Sequence, residues 1–249
     1  MLLKCFLGLL ASERLKFSRS PIWLLIPASP LVALVIGLLT SLDNVPASVQ
    51  ALQLQSIVFS LHAMLLLPIM TGIFSAFVCR YEHSGGGWKA MLSLPVSRTG
   101  LYLAKLLSVA VMLAITQLLM LAVLALSASF HGIAGTMNWS PTLLAVSSGW
   151  LACLPLAALQ LWASIGWSSF AAPLAINVAL TLPNMLIVNS AQYGPYYPWA
   201  QPALAMLVHS EEMEFGAFTL PLENLLVTVG LSFLVFFIGG LLHMKRRDV

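Results

Sequence analysis

The stretch RYEHSGGGWKAMLSLPVSRTGLYLAK, residues 80–105, decides how the chain is read. It is the longest polar interruption between two strongly apolar regions. It holds Arg80, Lys89, Arg98 and Lys105, four of the eleven Lys and Arg residues. Gly85, Gly86 and Gly87 together lose too much backbone entropy to remain helical, so they stop an incoming helix. Residues 88–94 then form a short helix closed by Pro95, and Ser97 or Thr99 caps the next helix by accepting from its free N–H groups. A short helix held between two membrane spans suits contact with a soluble partner.

The flanks must lie in lipid. The chain has 249 residues, 60% of them hydrophobic and 8% charged, with a mean hydropathy of +0.96. Water-soluble domains carry about 25% charged residues. Lipid is therefore the solvent for most of this chain. Cys5, Cys79 and Cys153 are scattered, with no CxxC pair, which suggests neither a disulfide framework nor a zinc site.

Upstream, residues 1–19 mix Leu2, Leu3, Phe6, Leu9 and Leu10 at near-helical spacing with Lys4, Glu13, Arg14, Lys16 and Arg19. This reads as an amphipathic helix along the membrane surface. A cleaved signal peptide is the rival, but the apolar core is short and no A-x-A site follows cleanly. Ser20 and Pro21 make a helix start, with Ser as cap and Pro where its missing N–H does no harm. A first span is expected over 21–42, where crossing about 30 Å of hydrocarbon needs about 20 residues. Pro27 and Pro30 fall inside it, so neighbouring helices must satisfy the carbonyls they free. A second span is expected over 56–79. His62 lies in it and reads as a neutral residue facing the bundle.

Downstream, nothing from Leu106 to Ser210 carries a formal charge. Turn signals divide this region into spans over 105–130, 141–164 and 167–189, with Ser140 and Pro141 repeating the cap-then-proline start. Ala171, Ala175 and Ala179 form a small-residue stripe suited to close helix packing. Asn177 and Asn184 are expected to hydrogen-bond within the bundle. Residues 190–219 form an outer segment. Its Tyr193, Tyr196, Tyr197 and Trp199 suit a membrane–water boundary, and its Glu211, Glu212 and Glu214 suit a solvated outer loop. That segment could also dip back as short helices and face a substrate. The last span is expected over 223–244.

Charge orients the whole. Six spans put both termini on one side. All eleven Lys and Arg then share that side: four before the first span, four in residues 80–104 and at Lys105, three at the end. The opposite side holds Asp43, Glu211, Glu212, Glu214 and Glu223. Positive residues stay cytoplasmic, so both termini and residues 80–104 are expected inside the cell. An even number of spans must join Lys105 to Lys245, and four fits the length.

Several chemistries lack their residues. There is no GxxxxGK[ST] phosphate loop, no GxSxG turn and no HExxH pair. The five His residues are well separated. His62 with Met64 hints weakly at copper, but scattered core Met explains the pair better. Ion-coupled carriers need buried charge to bind the coupling ion, and the expected spans hold almost none. Energy for transport would then come from another subunit.

With these features in hand, the chain resembles ABC transporter permeases of the type-2 exporter class. The surface helix, six spans, inner turn after the second span and outer segment before the sixth match that layout. SERLKFSRSPIWLL (residues 12–25) and YEHSGGGWKAMLSLPVSRTGLYLAKLL (residues 81–107) are similar to the lantibiotic-immunity permeases, which expel antimicrobial peptides from the producer's own membrane. The resemblance implies an all-α polytopic protein of the bacterial cytoplasmic membrane, in one permease domain with a coupling helix. Two ABC ATPase subunits and a second permease, like or unlike, would be its partners, along with membrane lipid and no nucleic acid. ATP and Mg would be bound by the ATPase, leaving this chain without cofactor or catalysis. Glu82, Trp88, Lys89, Leu92, Pro95 and Arg98 would contact the ATPase, with Ser97 and Arg98 opening the third span. Other readings are the same permease with a lipid, drug or copper cargo, or a membrane scaffold without transport.

Overall fold

The computed structural model describes residues 2–18, 20–83, 87–93, 96–207 and 221–246, and within them the side chains of all but residues 2–4 and 92. The described residues are helical, with no strand among them. In order, they form α1 (Leu2–Ser18), α2 (Ile22–Leu25), α3 (Ala28–Leu39), α4 (Gln50–Leu61), α5 (Leu67–His83), α6 (Gly87–Ser93), α7 (Arg98–Phe130) and α8 (Trp139–Gly166). Then follow α9 (Ala171–Thr181), α10 (Asn184–Ile187), α11 (Gln201–Met206) and α12 (Leu222–Arg246). Among the described residues, five helical stretches are long and apolar enough to cross a membrane: Ile22–Leu39, Gln50–His83, Arg98–Phe130, Trp139–Gly166 and Leu222–Arg246. Ala171–Ile187 is apolar but shorter.

Several helices run past the apolar windows that mark them in the sequence. α7 opens at Arg98, so Lys105 sits two turns inside it. Ser97 is the cap: its Oγ accepts from the Gly100 amide at 3.0 Å. α8 opens at Trp139, with Asn138 before it and no side-chain cap. The expected Ser140 cap is thus not formed, because the helix already includes Ser140, and Pro141 lies in the first turn where no N–H is needed.

Prolines shape the first two spans, and polar side chains repair what they open. Pro27 separates α2 from α3. Pro30 cannot donate to the Ile26 carbonyl, and Thr116 Oγ1 of α7 stands 3.5 Å from that oxygen while donating to Met112 O at 3.0 Å. A π-helical turn, His62–Leu66, joins α4 to α5. Its cause is Pro68, which lacks the N–H that would reach Met64 O four residues earlier. Asn184 Nδ2 donates to Met64 O at 2.7 Å instead, and Asn177 Nδ2 donates to Pro68 O at 3.0 Å. Trp199 Nε1 donates to Asn177 Oδ1 at 2.8 Å, so both ends of that amide are used. Gly72 permits the approach, since a Cβ there would run into the Asn177 amide.

α8 is the centre of the bundle, packed against α5, α7, α11 and α12. All six residues of α11 are buried, so the segment after residue 190 is not wholly a solvated loop. α9 packs on α5 through its buried face of Pro173, Asn177 and Thr181, and α10 packs on the π turn through Asn184. This corrects the reading of the small-residue stripe. Ala171, Ala175 and Ala179 are exposed on the opposite face of α9, so the face that packs on α5 is the one with Pro173 and Asn177.

Candidate functional site

The site grows from the ends of three helices. α1 buries Leu9, Glu13 and Phe17, which recur every four residues and form one stripe against α7. That stripe carries a carboxylate into the protein. The last turn of α5 brings Glu82 to the same point, and Lys105 reaches it from α7. Lys16 Nζ lies 2.7 Å from Glu13 Oε1 and 2.5 Å from Glu82 Oε1. Lys105 Nζ lies 3.3 Å from Glu13 Oε1 and 2.8 Å from Glu82 Oε1, and donates to Val78 O at 2.7 Å. Glu13, Glu82 and Lys105 are at most 2% exposed. Two carboxylates and two ammonium groups cancel, which is the condition under which such burial is tolerated.

α6 is fastened to this cluster. The Trp88 ring lies 5.9 Å from Lys105 Nζ, within cation–π range. Trp88 Nε1 donates to His83 Nδ1 at 3.2 Å. His83 therefore carries its proton on Nε2, which donates to Ser164 O of α8 at 2.7 Å. Gly87 starts α6 against the end of α5, and a Cβ there would come within 2.7 Å of Tyr81 O and 2.8 Å of Glu82 Cα. Any larger residue would push α6 away. Arg98 Nη1 donates to Lys245 O at 2.6 Å, tying the start of α7 to the last turn of α12. Through Trp88 and His83, α6 is thus linked to groups of α5, α7 and α8, and through Lys105 to Glu13 of α1.

The residues expected to meet a partner fall into separate groups. Glu82 and Trp88 are buried and spent inside the chain. Lys89, with Ala90 and Ser93, is exposed on the outer side of α6. Arg98 is held by α12. Leu92 belongs to α6, its side chain lying outside the description, and Pro95 is outside the described residues. On the outer segment, Tyr193 and Tyr196 are exposed, Tyr197 donates its hydroxyl to Leu180 O, and Trp199 is buried on Asn177. A groove of about 610 Å³ is lined by Leu186, Ile187, Ser190, Tyr193, Tyr196 and Tyr197. Glu211, Glu212 and Glu214 lie outside the described residues.

Sequence reasoning missed that Glu13, Lys16, Glu82 and Lys105 form one buried cluster. The available signal was Lys105 itself, a cation at the edge of a long uncharged run that needs a counter-charge once buried.

The described helices form a multi-pass bundle with a short helix fastened between two long apolar helices. The family model described as "ABC-2 family transporter protein" matches residues 9–184, and the chain belongs to that family. The match runs from α1 through Asn184 and so contains the charge cluster, α6 and both asparagines. Family membership makes this the membrane permease subunit of an ABC transporter, with an ABC ATPase as its partner. No curated protein matches the chain.

Proposed function

We propose that this permease is the transmembrane half of an ATP-driven exporter that clears a lantibiotic or similar amphipathic antimicrobial peptide from the membrane. In this reading Ala171–Ile187 supplies a sixth crossing, and both termini and α6 face the cytoplasm. The placement of all eleven Lys and Arg on one side of such a chain supports that orientation. Two ATPase subunits bind ATP and Mg and carry out hydrolysis, and a second permease, like or unlike, completes the pathway.

The observation that carries the reading is the fastening of α6. A seven-residue helix with an exposed Lys89 on one side and Trp88 locked on Lys105 on the other is built to receive a push and pass it on. ATP-driven closure of the ATPase pair moves α6, the charge cluster carries the motion to four helices, and the spans tilt. The motifs at residues 12–25 and 81–107 favour a peptide cargo. So does the tyrosine-lined outer groove, whose rings suit an amphipathic ligand at the membrane boundary.

The test is a survival assay. Cells producing the permease and its ATPase should tolerate more lantibiotic than cells producing the permease alone, with no change in copper tolerance. Copper tolerance rising alone would move the cargo from peptide to metal. Unchanged tolerance to both, with no change in the partner's ATP hydrolysis, would favour a scaffold.

A further inference from the structure

Between α1 and α7 the surface opens into a groove of about 620 Å³, walled by Leu10, Phe17, Trp23, Val111 and Ile115. Trp23 and Val111 are about half exposed, so the groove opens to the surroundings of the bundle. Its polar end is Arg14. Leu10, Arg14 and Phe17 fall on one face of α1 at intervals of four and three residues, so the guanidinium and the apolar wall belong to the same surface. The neighbouring polar groups are already committed. Ser18 Oγ donates to Leu15 O, Ser108 Oγ to Ala104 O, and Trp23 Nε1 to Phe17 O. Glu13 and Lys16, on either side of Arg14, are used in the buried cluster. Among the described residues, Arg14 has no ion-pair or hydrogen-bond partner.

We propose that this groove holds one anionic phospholipid of the leaflet on which α1 lies, its phosphate on Arg14 and an acyl chain along α7. The geometry fits that occupant in two ways. A guanidinium offers paired N–H groups that match a phosphate, and it keeps its charge at an interface. From residue 107 to residue 115 the wall runs about 12 Å along the helix axis, the reach of an acyl segment rather than of a small ion. Because Arg98 begins α7, residue 107 lies about 14 Å from that end, which sets the wall beneath the headgroups of the same leaflet. The site is independent of the cargo proposed above. It gives α1 a lipid anchor next to the charge cluster.

Native mass spectrometry of the full chain in mild detergent tests this. Equal amounts of phosphatidylglycerol and phosphatidylcholine with identical acyl chains are added, and retention is read as a ratio within one sample. Wild type should favour phosphatidylglycerol about fivefold, the factor that one basic side chain near an anionic surface contributes. Arg14→Gln should bring the ratio close to one, Val111→Trp should lose both lipids, and Arg246→Gln should keep the wild-type ratio. Phosphatidylglycerol with a photoreactive acyl chain should label residues 107–115. A wild-type ratio near one overturns the proposal without recourse to any variant. So does an unchanged ratio in Arg14→Gln, an equal loss in Arg246→Gln, or labelling elsewhere only.

Discussion

Lys105 Nζ stands 2.8 Å from Glu82 Oε1, with both side chains sealed from solvent and 23 positions apart in the chain. Lys105→Met leaves two buried carboxylates to share Lys16. It should lower stability by about 3–5 kcal/mol, the cost of leaving a buried charge uncompensated. Glu82→Gln with Lys105→Gln keeps the cluster neutral and should cost less than the two singles together, with a coupling of about 1–3 kcal/mol. Thermal unfolding in detergent measures all four variants: Lys105→Met, the two Gln singles and their double.

The π turn gives a second prediction. Asn184→Ala leaves Met64 O without its donor, which should cost about 1–2 kcal/mol. Pro68→Ala restores an N–H four residues from that carbonyl. In the Pro68→Ala background, Asn184→Ala should cost distinctly less. Equal costs in both backgrounds would mean that the asparagine does not repair the proline's defect.

Two glycines separate close approach from mere permissiveness. At Gly72 a Cβ would meet the Asn177 amide, so Gly72→Ala should destabilise by about 1–3 kcal/mol. At Gly230, inside α12, nothing lies within 4 Å, and Gly230→Ala should be neutral or stabilising by up to about 1 kcal/mol. Unfolding midpoints of the two variants, measured side by side, decide this.

His83 links α6 to α8 through both ring nitrogens. His83→Phe keeps a ring against Trp88 but loses both hydrogen bonds, Trp88 Nε1 to His83 and His83 to Ser164 O. The expected loss is about 1–3 kcal/mol, together with faster proteolysis within α6. Unchanged cleavage there would show that α6 is held by other contacts.

The sequence was most informative where the cause is local. A short helix before α7 and a serine cap at position 97 are matters of backbone freedom and nearby N–H groups, although Gly87, expected outside the helix, is its first residue, and Gly85, Gly86 and Pro95 lie outside the described residues. Apolar runs led to six expected spans; five fall on the long apolar helices among the described residues, and the one expected over 167–189 falls on the shorter α9 and α10. Helix ends were less visible, because hydropathy marks the lipid-facing part of α7 and not the turns before Lys105. The charge cluster was hidden, since Glu13 and Lys105 are brought together only by the packing of α1 on α7. Periodicity also could not say which face of α9 points inward. Asn177 and Asn184 decide that, drawn to carbonyls freed or exposed by a proline more than a hundred residues away.

The central claim is that α6 receives the ATPase through its exposed side. Lys89→Glu combined with Ala90→Asp changes that side and leaves Trp88 and the charge cluster untouched. Co-purification from mild detergent, with the ATPase quantified per permease, tests it most directly. The account predicts that the double variant keeps the wild-type unfolding midpoint but loses most of the bound ATPase and its effect on ATP hydrolysis. Full retention of the ATPase by the folded double variant would contradict it.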